Sequence, residues 1–398
     1  MVEVSESLPH RATALTVDLV AIVQNATVLS HHAGSRPLLA VVKANAYGTG
    51  AVPVATALTN AGVSWLGVAL AEEGVQLRRA GIGTHILLLG PADPAQCTCL
   101  LELRITPAVY SLGFLTALEE AASRAGTVVD AHLKVDSGMG RLGLREEEIP
   151  GLLSALGRAP HVRISGLFSN LASADDPASP QTAAQVEQFL AILEQLRRGG
   201  VDPEWIHLAN SSALLAHPAA HLTLCRPGLT LYGLKPSGSL PDPGLKTALT
   251  FRTRLAQVKD LPPGTPVGYG ATYKTSGRQR VGILPVGYAD GLPRSASPGG
   301  WVLIGGARCP LAGRISMDLA AVDLAPCPDA REGQEVVLWG EQGSERLDPW
   351  DWARWTGTIP YEVMTGVGCR VARRYLRDGM EQTVVPILSE KLKVKSEK

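Results

Sequence analysis

The residues of this 398-residue chain best suited to chemistry are lysines and arginines at the ends of apolar runs. Lys43 closes the run Leu38 to Val42 and is followed by Ala44-Asn45-Ala46-Tyr47-Gly48-Thr49-Gly50. A lysine ending a strand is ordinarily a solvated cap. The small residues and two glycines behind this one would let a flat ligand lie against the backbone, and an amine there can form a Schiff base and return as a base. Lys134 lies within another apolar run that leads into Asp136-Ser137-Gly138-Met139-Gly140-Arg141. Burial and like charge both disfavour its ammonium form, and Asp136 is the candidate to neutralise it. His207, Asn210 and Ser211 end one run, and Arg226-Pro227-Gly228-Leu229 ends another. Ser211 with the backbone of Gly228 and Leu229 offers hydroxyl and N–H groups that suit a phosphate, the plain alternatives being a helix cap and a turn. Tyr269, Tyr288, Met317 and Tyr361 stand in Gly268-Tyr269-Gly270-Ala271-Thr272, Gly287-Tyr288-Ala289-Asp290-Gly291, Gly313-Arg314-Ile315-Ser316-Met317-Asp318 and Thr358-Ile359-Pro360-Tyr361-Glu362. Singly, each of these reads as a turn or strand end.

The elements that must position these residues follow from the apolar pattern. Eight short runs alternate with longer segments of helical pattern: Leu38 to Val42, Trp65 to Leu70, His85 to Gly90, Thr106 to Tyr110, Asp130 to Asp136, Ile164 to Asn170, Glu204 to Asn210 and Leu222 to Arg226. Ser111 to Arg124 and Gln181 to Arg198 carry apolar residues at spacings of three and four, as amphipathic helices do. Such alternation predicts βα units around a parallel sheet, and eight strands close a (β/α)8 barrel of the TIM type. The site of such a barrel lies at the C-terminal ends of its strands, with phosphate held after strands seven and eight. Lys43, Ser211 and Arg226 fall at those ends. After the Pro/Gly-rich stretch Lys235 to Gly244, strand-like runs recur at short intervals: Phe251 to Lys259, Arg280 to Val286, Trp301 to Ile304, Ala321 to Leu324 and Glu335 to Trp339. A helix over Pro349 to Thr356 and a strand over Arg370 to Tyr375 complete the pattern. The expected fold is α/β: a barrel over 1–244, a mainly-β domain over 245–385 and a flexible tail over 386–398.

Composition narrows the function classes. Lys and Arg together number 37, as do Asp and Glu, and this neutrality argues against nucleic acid or an anionic membrane as partner. No run of about 18 apolar residues and no signal-peptide pattern occurs, so the expectation is a cytoplasmic protein. The six cysteines lack C-x-x-C spacing, and Pro218 interrupts the His217 and His221 pair. No metal is therefore expected.

Taken together and in order, the segments resemble the alanine racemase family from Arg11-Ala12-Thr13 to Arg370-Val371-Ala372-Arg373. Ala40-Val41-Val42-Lys43-Ala44-Asn45-Ala46-Tyr47-Gly48 matches that family's lysine motif. The resemblance implies pyridoxal 5'-phosphate (PLP) as cofactor, Lys43 as its Schiff-base residue and one catalytic base, and Tyr269 as the other. It places Arg141 near the cofactor's phenolic oxygen and the substrate carboxylate, and Arg226 at the pyridine nitrogen. It places Tyr47, Ser211, Gly228, Leu229 and Tyr361 at the phosphate, and the Met317 backbone N–H at the substrate carboxylate, with Tyr288 limiting pocket size. In many family members the lysine matching Lys134 is carbamylated. The family assembles as homodimers with shared sites, so Tyr269, Tyr288 and Met317 would serve the partner chain's barrel. The implied activity is interconversion of L-alanine and D-alanine, which supplies D-alanine for cell-wall peptidoglycan.

The chain departs from the pattern at Asn170, where the family commonly has a histidine against the cofactor ring, and at Gly268, Ser316 and Pro360, where Ser, Cys and Asn are frequent. The competing readings are a racemase preferring serine or a broader set of small amino acids, a PLP decarboxylase of basic amino acids, and a non-catalytic PLP carrier. The carriers lack a β domain, against which residues 245–385 argue.

Overall fold

The structure, a computed structural model, describes residues 11–377 and 380–385. The tail expected over 386–398 lies outside the described residues. The chain forms two compact units: one spans Val20–Thr247, and the other combines residues up to Leu19 with those from Ala248 onward. Strand β1 (Ala14–Asp18) therefore corrects the expected boundary of the first domain. It pairs in parallel with a strand over Ala372–Arg377 and antiparallel with one over Leu249–Arg254. Its buried Ala14, Leu15 and Val17 find their cover in that sheet.

The first unit is a barrel of parallel strands: β2 (Leu39–Val41), β3 (Trp65–Val68), β4 (His85–Leu88), β5 (Ala108–Val109), β6 (Val129–Lys134), β7 (Val162–Phe168) and β8 (Trp205–His207). β2, β3 and β4 pair in order, as do β5 to β8. A bridge between Leu87 and Thr106 joins the two sets, and one between Leu38 and Cys225 closes the ring. The eighth expected strand is thus reduced to a bridge. Its backbone still bonds both neighbours, through Thr223 N–H to Ile206 O (3.0 Å) and Leu39 N–H to Cys225 O (2.8 Å). In the fourth run Pro107, which has no N–H to give, joins the sheet only by its carbonyl, which accepts from His132 N–H (3.0 Å). Strands covered on both faces are apolar throughout, as in β3, where every residue is buried. Between them, helix Leu112–Ala125 starts where the Ser111 hydroxyl accepts from Phe114 N–H and buries Phe114, Leu115, Leu118, Ala121 and Ala122 along one face. Helix Pro180–Arg198 places its proline in the first turn, where a missing N–H costs nothing.

The second unit is mainly β. Its strands continue as β9 (Leu249–Arg254), β10 (Gln257–Leu261), β11 (Pro266–Val267), β12 (Tyr273–Lys274), β13 (Gln279–Leu284), β14 (Trp301–Ile304), β15 (Ala307–Pro310), β16 (Ala320–Asp323), β17 (Glu335–Gln342), β18 (Glu345–Leu347), β19 (Ala372–Arg377) and β20 (Met380–Val385). The main sheet runs β15-β14-β17-β9-β1-β19-β20, with β18 on β17, and a second runs β10-β13-β16. The run Phe251 to Lys259 divides between these two sheets. At the crossing, Leu255 N–H bonds Gln334 O and Ala256 N–H bonds Ile283 O. Helix Pro349–Thr356 forms where expected, its N-terminal N–H groups capped by Asp348. No helix among the described residues is long and apolar enough to cross a membrane.

Candidate active site

The carboxyl ends of the barrel strands deliver most of the predicted barrel residues to one place. Lys43, Lys134, Arg141, Asn170 and Arg226 line a single cavity of about 420 Å³, with Ala69, Leu89, Gly90, Pro91, Leu142 and Phe168. Lys134 ends β6 and Phe168 ends β7, while Arg226 follows the closing bridge.

Lys43 opens a turn of unusual hand. Ala44, Asn45 and Ala46 have φ of 53°, 53° and 54° with ψ of 50°, 46° and 52°, which is left-handed helix. For residues with a Cβ this costs roughly 1–2 kcal/mol each, so the surroundings must over-determine it. They do so through Ala46 N–H to Val42 O (2.8 Å), Gly50 N–H to Asn45 O (2.9 Å), and Ala51 N–H to the Asn45 side-chain oxygen (2.8 Å). The turn aims the chain so that Tyr47 is buried, its ring 5.4 Å from that of Tyr232. Lys43 itself is exposed at the open cavity. Desolvation by the surrounding walls, then the charge of Arg141, lower its pKa; Glu73 opposes them, and Arg226 adds a smaller downward push.

Lys134 is buried, with its Nζ 4.5 Å from the centroid of the Phe168 ring. Burial, then Arg226 and Arg141, lower its pKa well below the ordinary lysine value. Asp136, expected to neutralise it, is engaged elsewhere. Its carboxylate accepts from the N–H groups of Gly138, Met139, Gly140 and Arg141 at 2.8–3.1 Å. Burial alone would raise the Asp136 pKa, but these four donors hold it below the usual carboxylate range. The aspartate shapes the loop that presents Arg141; among the described residues it makes no ion pair with Lys134, and its charge opposes the downward shift there only after burial, Arg226 and Arg141.

Arg226 is buried among carbonyls. It donates to His207 O (2.6 Å), Ser169 O (2.6 Å) and Leu208 O (3.1 Å), and to the Asn170 side-chain oxygen at 3.5 Å. Burial lowers its pKa only to about 10, so it stays charged at neutral pH. It also donates to His207 Nδ1 (3.1 Å), and His207 Nε2 lies 2.9 Å from His132 Nδ1. Because arginine has no acceptor, the proton order is forced: His207 carries its hydrogen on Nε2, gives it to His132 Nδ1, and leaves the hydrogen of His132 on Nε2. Burial lowers the pKa of both histidines, that of His132 to about 3.

The phosphate candidates are also brought together. Ser211 Oγ accepts from Gly228 N–H (2.8 Å) and from the Thr230 hydroxyl (3.1 Å), and Leu229 begins a short turn through Tyr232. A Cβ on Gly228 would lie 2.2 Å from the Tyr47 hydroxyl oxygen. Only glycine lets that phenol reach this backbone, which makes a cradle of Tyr47, Ser211, Gly228 and Leu229. Asn210, just before Ser211, is a helix cap that accepts from Ala213 N–H (3.0 Å).

Tyr269, Tyr288, Met317 and Tyr361 belong to the mainly-β unit. Tyr269 is 70% exposed, Met317 52% and Tyr288 43%. Gly268, where serine is frequent, has φ 74° and ψ −175°, a region essentially closed to other residues. Its departure from the family is a backbone requirement of the turn that presents Tyr269. Pro360 is likewise explained, since it opens the helix Pro360–Thr365 that carries Tyr361. The loops bearing Tyr288 and Met317 are bonded to each other, Tyr288 N–H to Ser316 O and Ala289 N–H to Met317 O, both at 3.0 Å. Beneath them lies Asp290, with a fully buried side chain. It takes two bonds from Arg370 (2.7 and 3.2 Å), one from Gly287 N–H (2.9 Å) and one from Arg11. Arg370 reaches Asp318 as well, at 2.5 Å.

Sequence reasoning missed Phe168, His132 and Glu73. Phe168 and His132 read as ordinary strand residues. Glu73 reads as an acid in a helix's first turn, although its carboxylate also accepts from Ala44 N–H beside Lys43 (2.6 Å).

The chain matches known proteins over almost its whole length. The family described as "Alanine racemase, N-terminal domain" matches residues 17–236, and "Alanine racemase, C-terminal domain" matches 248–375. The alanine racemase of Symbiobacterium thermophilum is 44% identical over 366 residues, covering 92% of this chain and 97% of that protein. That of Halothermothrix orenii is 39% identical over 367 residues, covering 92% and 97%. Among solved structures, the alanine racemase of Bacillus anthracis with bound L-Ala-P superposes with a TM-score of 0.90 at 35% identity, covering 96% of this chain and 99% of that one. With both family halves matched in order and the site geometry in place, the chain belongs to the alanine racemase family of isomerases.

Proposed function

We propose that the chain binds PLP on Lys43 and interconverts L-alanine and D-alanine by a two-base mechanism in a homodimer. The observation that carries this reading is a lysine, a buried arginine and a phosphate-type cradle spaced along one barrel mouth. The donor set fits PLP. Lys43 would hold its carbonyl carbon, Tyr47, Ser211 and the Gly228 and Leu229 backbone its phosphate together with Tyr361, Arg226 its ring nitrogen, and Arg141 its phenolic oxygen. Asn170 would lie against the ring, offering an amide in place of a stacking imidazole. Bound there, PLP supplies the electron withdrawal that makes the substrate's Cα proton removable.

The chain's own residues then move that proton. Lys43 Nζ serves one face of Cα and the partner subunit's Tyr269 Oη the other, one taking the proton and the other returning it, which inverts the centre. A free lysine with pKa about 10.4 is a poor base at neutral pH; the downward shift at Lys43 moves it toward its task. Arg226 can only donate, so it holds the ring nitrogen without giving it a proton. This moderates electron withdrawal and disfavours transamination. Arg141 and the partner subunit's Met317 N–H would hold the substrate carboxylate, and the partner subunit's Tyr288 would limit the room for larger side chains. Exposure of large side chains at Tyr269, Tyr288 and Met317 supports a surface made to be covered. Lys134, whose pKa is lowered by burial, Arg226 and Arg141, is the candidate for carbamylation: its free amine would add carbon dioxide and release a proton. The resulting carbamate would place an anion beside Arg141. D-alanine for cell-wall peptidoglycan is the role proposed with this activity.

The test is a panel assay of the PLP-loaded protein on L-alanine, L-serine and L-lysine. Loss of optical rotation greatest with L-alanine is expected. Carbon dioxide released from L-lysine would overturn the reading in favour of a decarboxylase, and equal turnover of serine would broaden the substrate class.

A further inference from the structure

The proposed mechanism makes no use of Glu73. This residue lies in the first turn of helix Ala71–Arg79, and its Oε2 accepts from Ala69 N–H (2.8 Å) and Leu70 N–H (3.2 Å). Those two bonds are the ordinary work of a carboxylate at a helix start. The third is different. Oε1 accepts at 2.6 Å from Ala44 N–H, 29 residues earlier and adjacent to Lys43. The left-handed turn that follows Lys43 bonds itself from Ala46 onward, so the N–H of Ala44 lies outside that ladder. Glu73 supplies its acceptor. One side chain therefore joins the turn carrying Lys43 to Ala69, which lines the same cavity.

We propose that Glu73 is a positioning residue for Lys43: its carboxylate, bonded at once to Ala44, Ala69 and Leu70, locks the left-handed turn against the end of β3 and so fixes where Lys43 Nζ stands. The proposal rests on the reading of Lys43 as the cofactor-binding base. Its charge acts at the same place. The groups around Lys43 are Arg141, Arg226 and Lys134 from the other strand ends, all basic, and Glu73 is the acid set against them. Burial, Arg141 and Arg226 push the Lys43 pKa down, and Glu73 draws it back.

The experiment measures two properties of wild type, Glu73→Gln and Glu73→Asp. The first is the pH midpoint of Lys43 acetylation by acetic anhydride in the cofactor-free protein, read by peptide mass spectrometry. The second is racemisation after PLP loading. Glu73→Gln removes the charge and turns an amide N–H₂ toward backbone donors. The midpoint should move to lower pH, and kcat should fall on the order of ten- to a hundredfold, with KM changed less. Glu73→Asp keeps the charge on a shorter stem, so the midpoint should stay while kcat falls. A Glu73→Gln protein with wild-type midpoint and kcat overturns the proposal. So does a loss of activity that only follows a lowered Tm while Lys43 labelling stays unchanged, since that is capping alone. If Glu73→Gln does not fold, wild-type kcat in Glu73→Asp overturns it. A wild type that racemises nothing would defeat the enzymatic reading, and the acetylation midpoints would still decide the role of Glu73.

Discussion

Two groups of charges in this molecule are built on opposite plans. In the barrel, Lys43, Lys134, Arg141 and Arg226 share one cavity whose lining contains no carboxylate. In the mainly-β unit, Asp290 is fully buried and saturated by Arg11, Arg370 and Gly287 N–H. The first arrangement costs stability. Burial and mutual repulsion depress the lysines, and Arg226 is tolerated because strand-end carbonyls surround it. The second holds chain segments together, because each charge meets its opposite and the aspartate's remaining lone pairs are filled. Unbalanced charge marks the cavity where the proposed anionic cofactor would be received, and balanced charge marks the frame that presents side chains. Substitutions in the cavity should therefore cost activity first, and substitutions in the Asp290 knot should cost stability first.

The sharpest way to break this contrast is Lys43→Ala. It should reduce racemisation to background and abolish the absorbance of lysine-bound cofactor, with Tm unchanged because Lys43 is exposed. A large drop in Tm would mean that the cavity also carries the fold. Next is Tyr269→Phe, expected to slow catalysis on the order of 10²–10⁴-fold without loss of stability, since the side chain is 70% exposed. Hydrogen–deuterium exchange at Cα should show a greater effect starting from L-alanine than from D-alanine; equal losses would remove the assignment of one base to each face.

Asp290→Ala tests the other side of the contrast. Removing one partner of a buried ion pair typically costs about 3–5 kcal/mol, so urea unfolding should show a loss of that order. The pH dependence has a definite sign. Burial opposes ionisation, but the bonds from Arg370 and Arg11 hold the Asp290 pKa below its ordinary value. The stabilisation is then complete above an unfolded carboxyl pKa of about 3.9 and is lost as pH falls through the lower folded value. Wild type should lose stability there more steeply than Asp290→Ala. The smallest effect expected is from Gly228→Ala, whose new Cβ would stand 2.2 Å from the Tyr47 hydroxyl oxygen. The phenol must shift, and PLP affinity measured by fluorescence titration should weaken by about tenfold, or 1.4 kcal/mol. Unchanged affinity would remove Tyr47 and Gly228 from the phosphate cradle.

Much of this was legible in the residue order, for reasons that differ by element. Strands such as β2 and β3 announced themselves because both faces are covered and their residues are apolar, whereas β6 and β8 carry the buried His132, Lys134 and His207. Lys134, Asn170 and Arg226 could be placed together because strand ends in a closed barrel converge. The left-handed turn after Lys43 was not legible. No glycine stands at positions 44 to 46, and Asn45 alone among them favours positive φ, which is too little to mark three successive left-handed residues; their cause lies partly in Glu73. β1 was missed for a similar reason. Ala14–Asp18 is a short apolar run whose partners, β9 and β19, come far later in the chain. The role of Asp136 is only half legible: its charge does act on Lys134, but sequence proximity says nothing about the four backbone donors that close on its carboxylate.

The pairing of β1 with β19 also sets an order in time. A ribosome releases residues 20–247 as a continuous stretch able to close its barrel early, as domains emerging N-terminal first generally do. Ala14–Asp18, made before any of it, must wait for Leu249–Arg254 on one edge and for Ala372–Arg377 on the other. Until then its strand edges are unpaired. The frame that presents Tyr269, Tyr288 and Met317 is thus the last part to be finished, and a chain cut short before Ala372 would carry a complete barrel with no completed sheet to hold them.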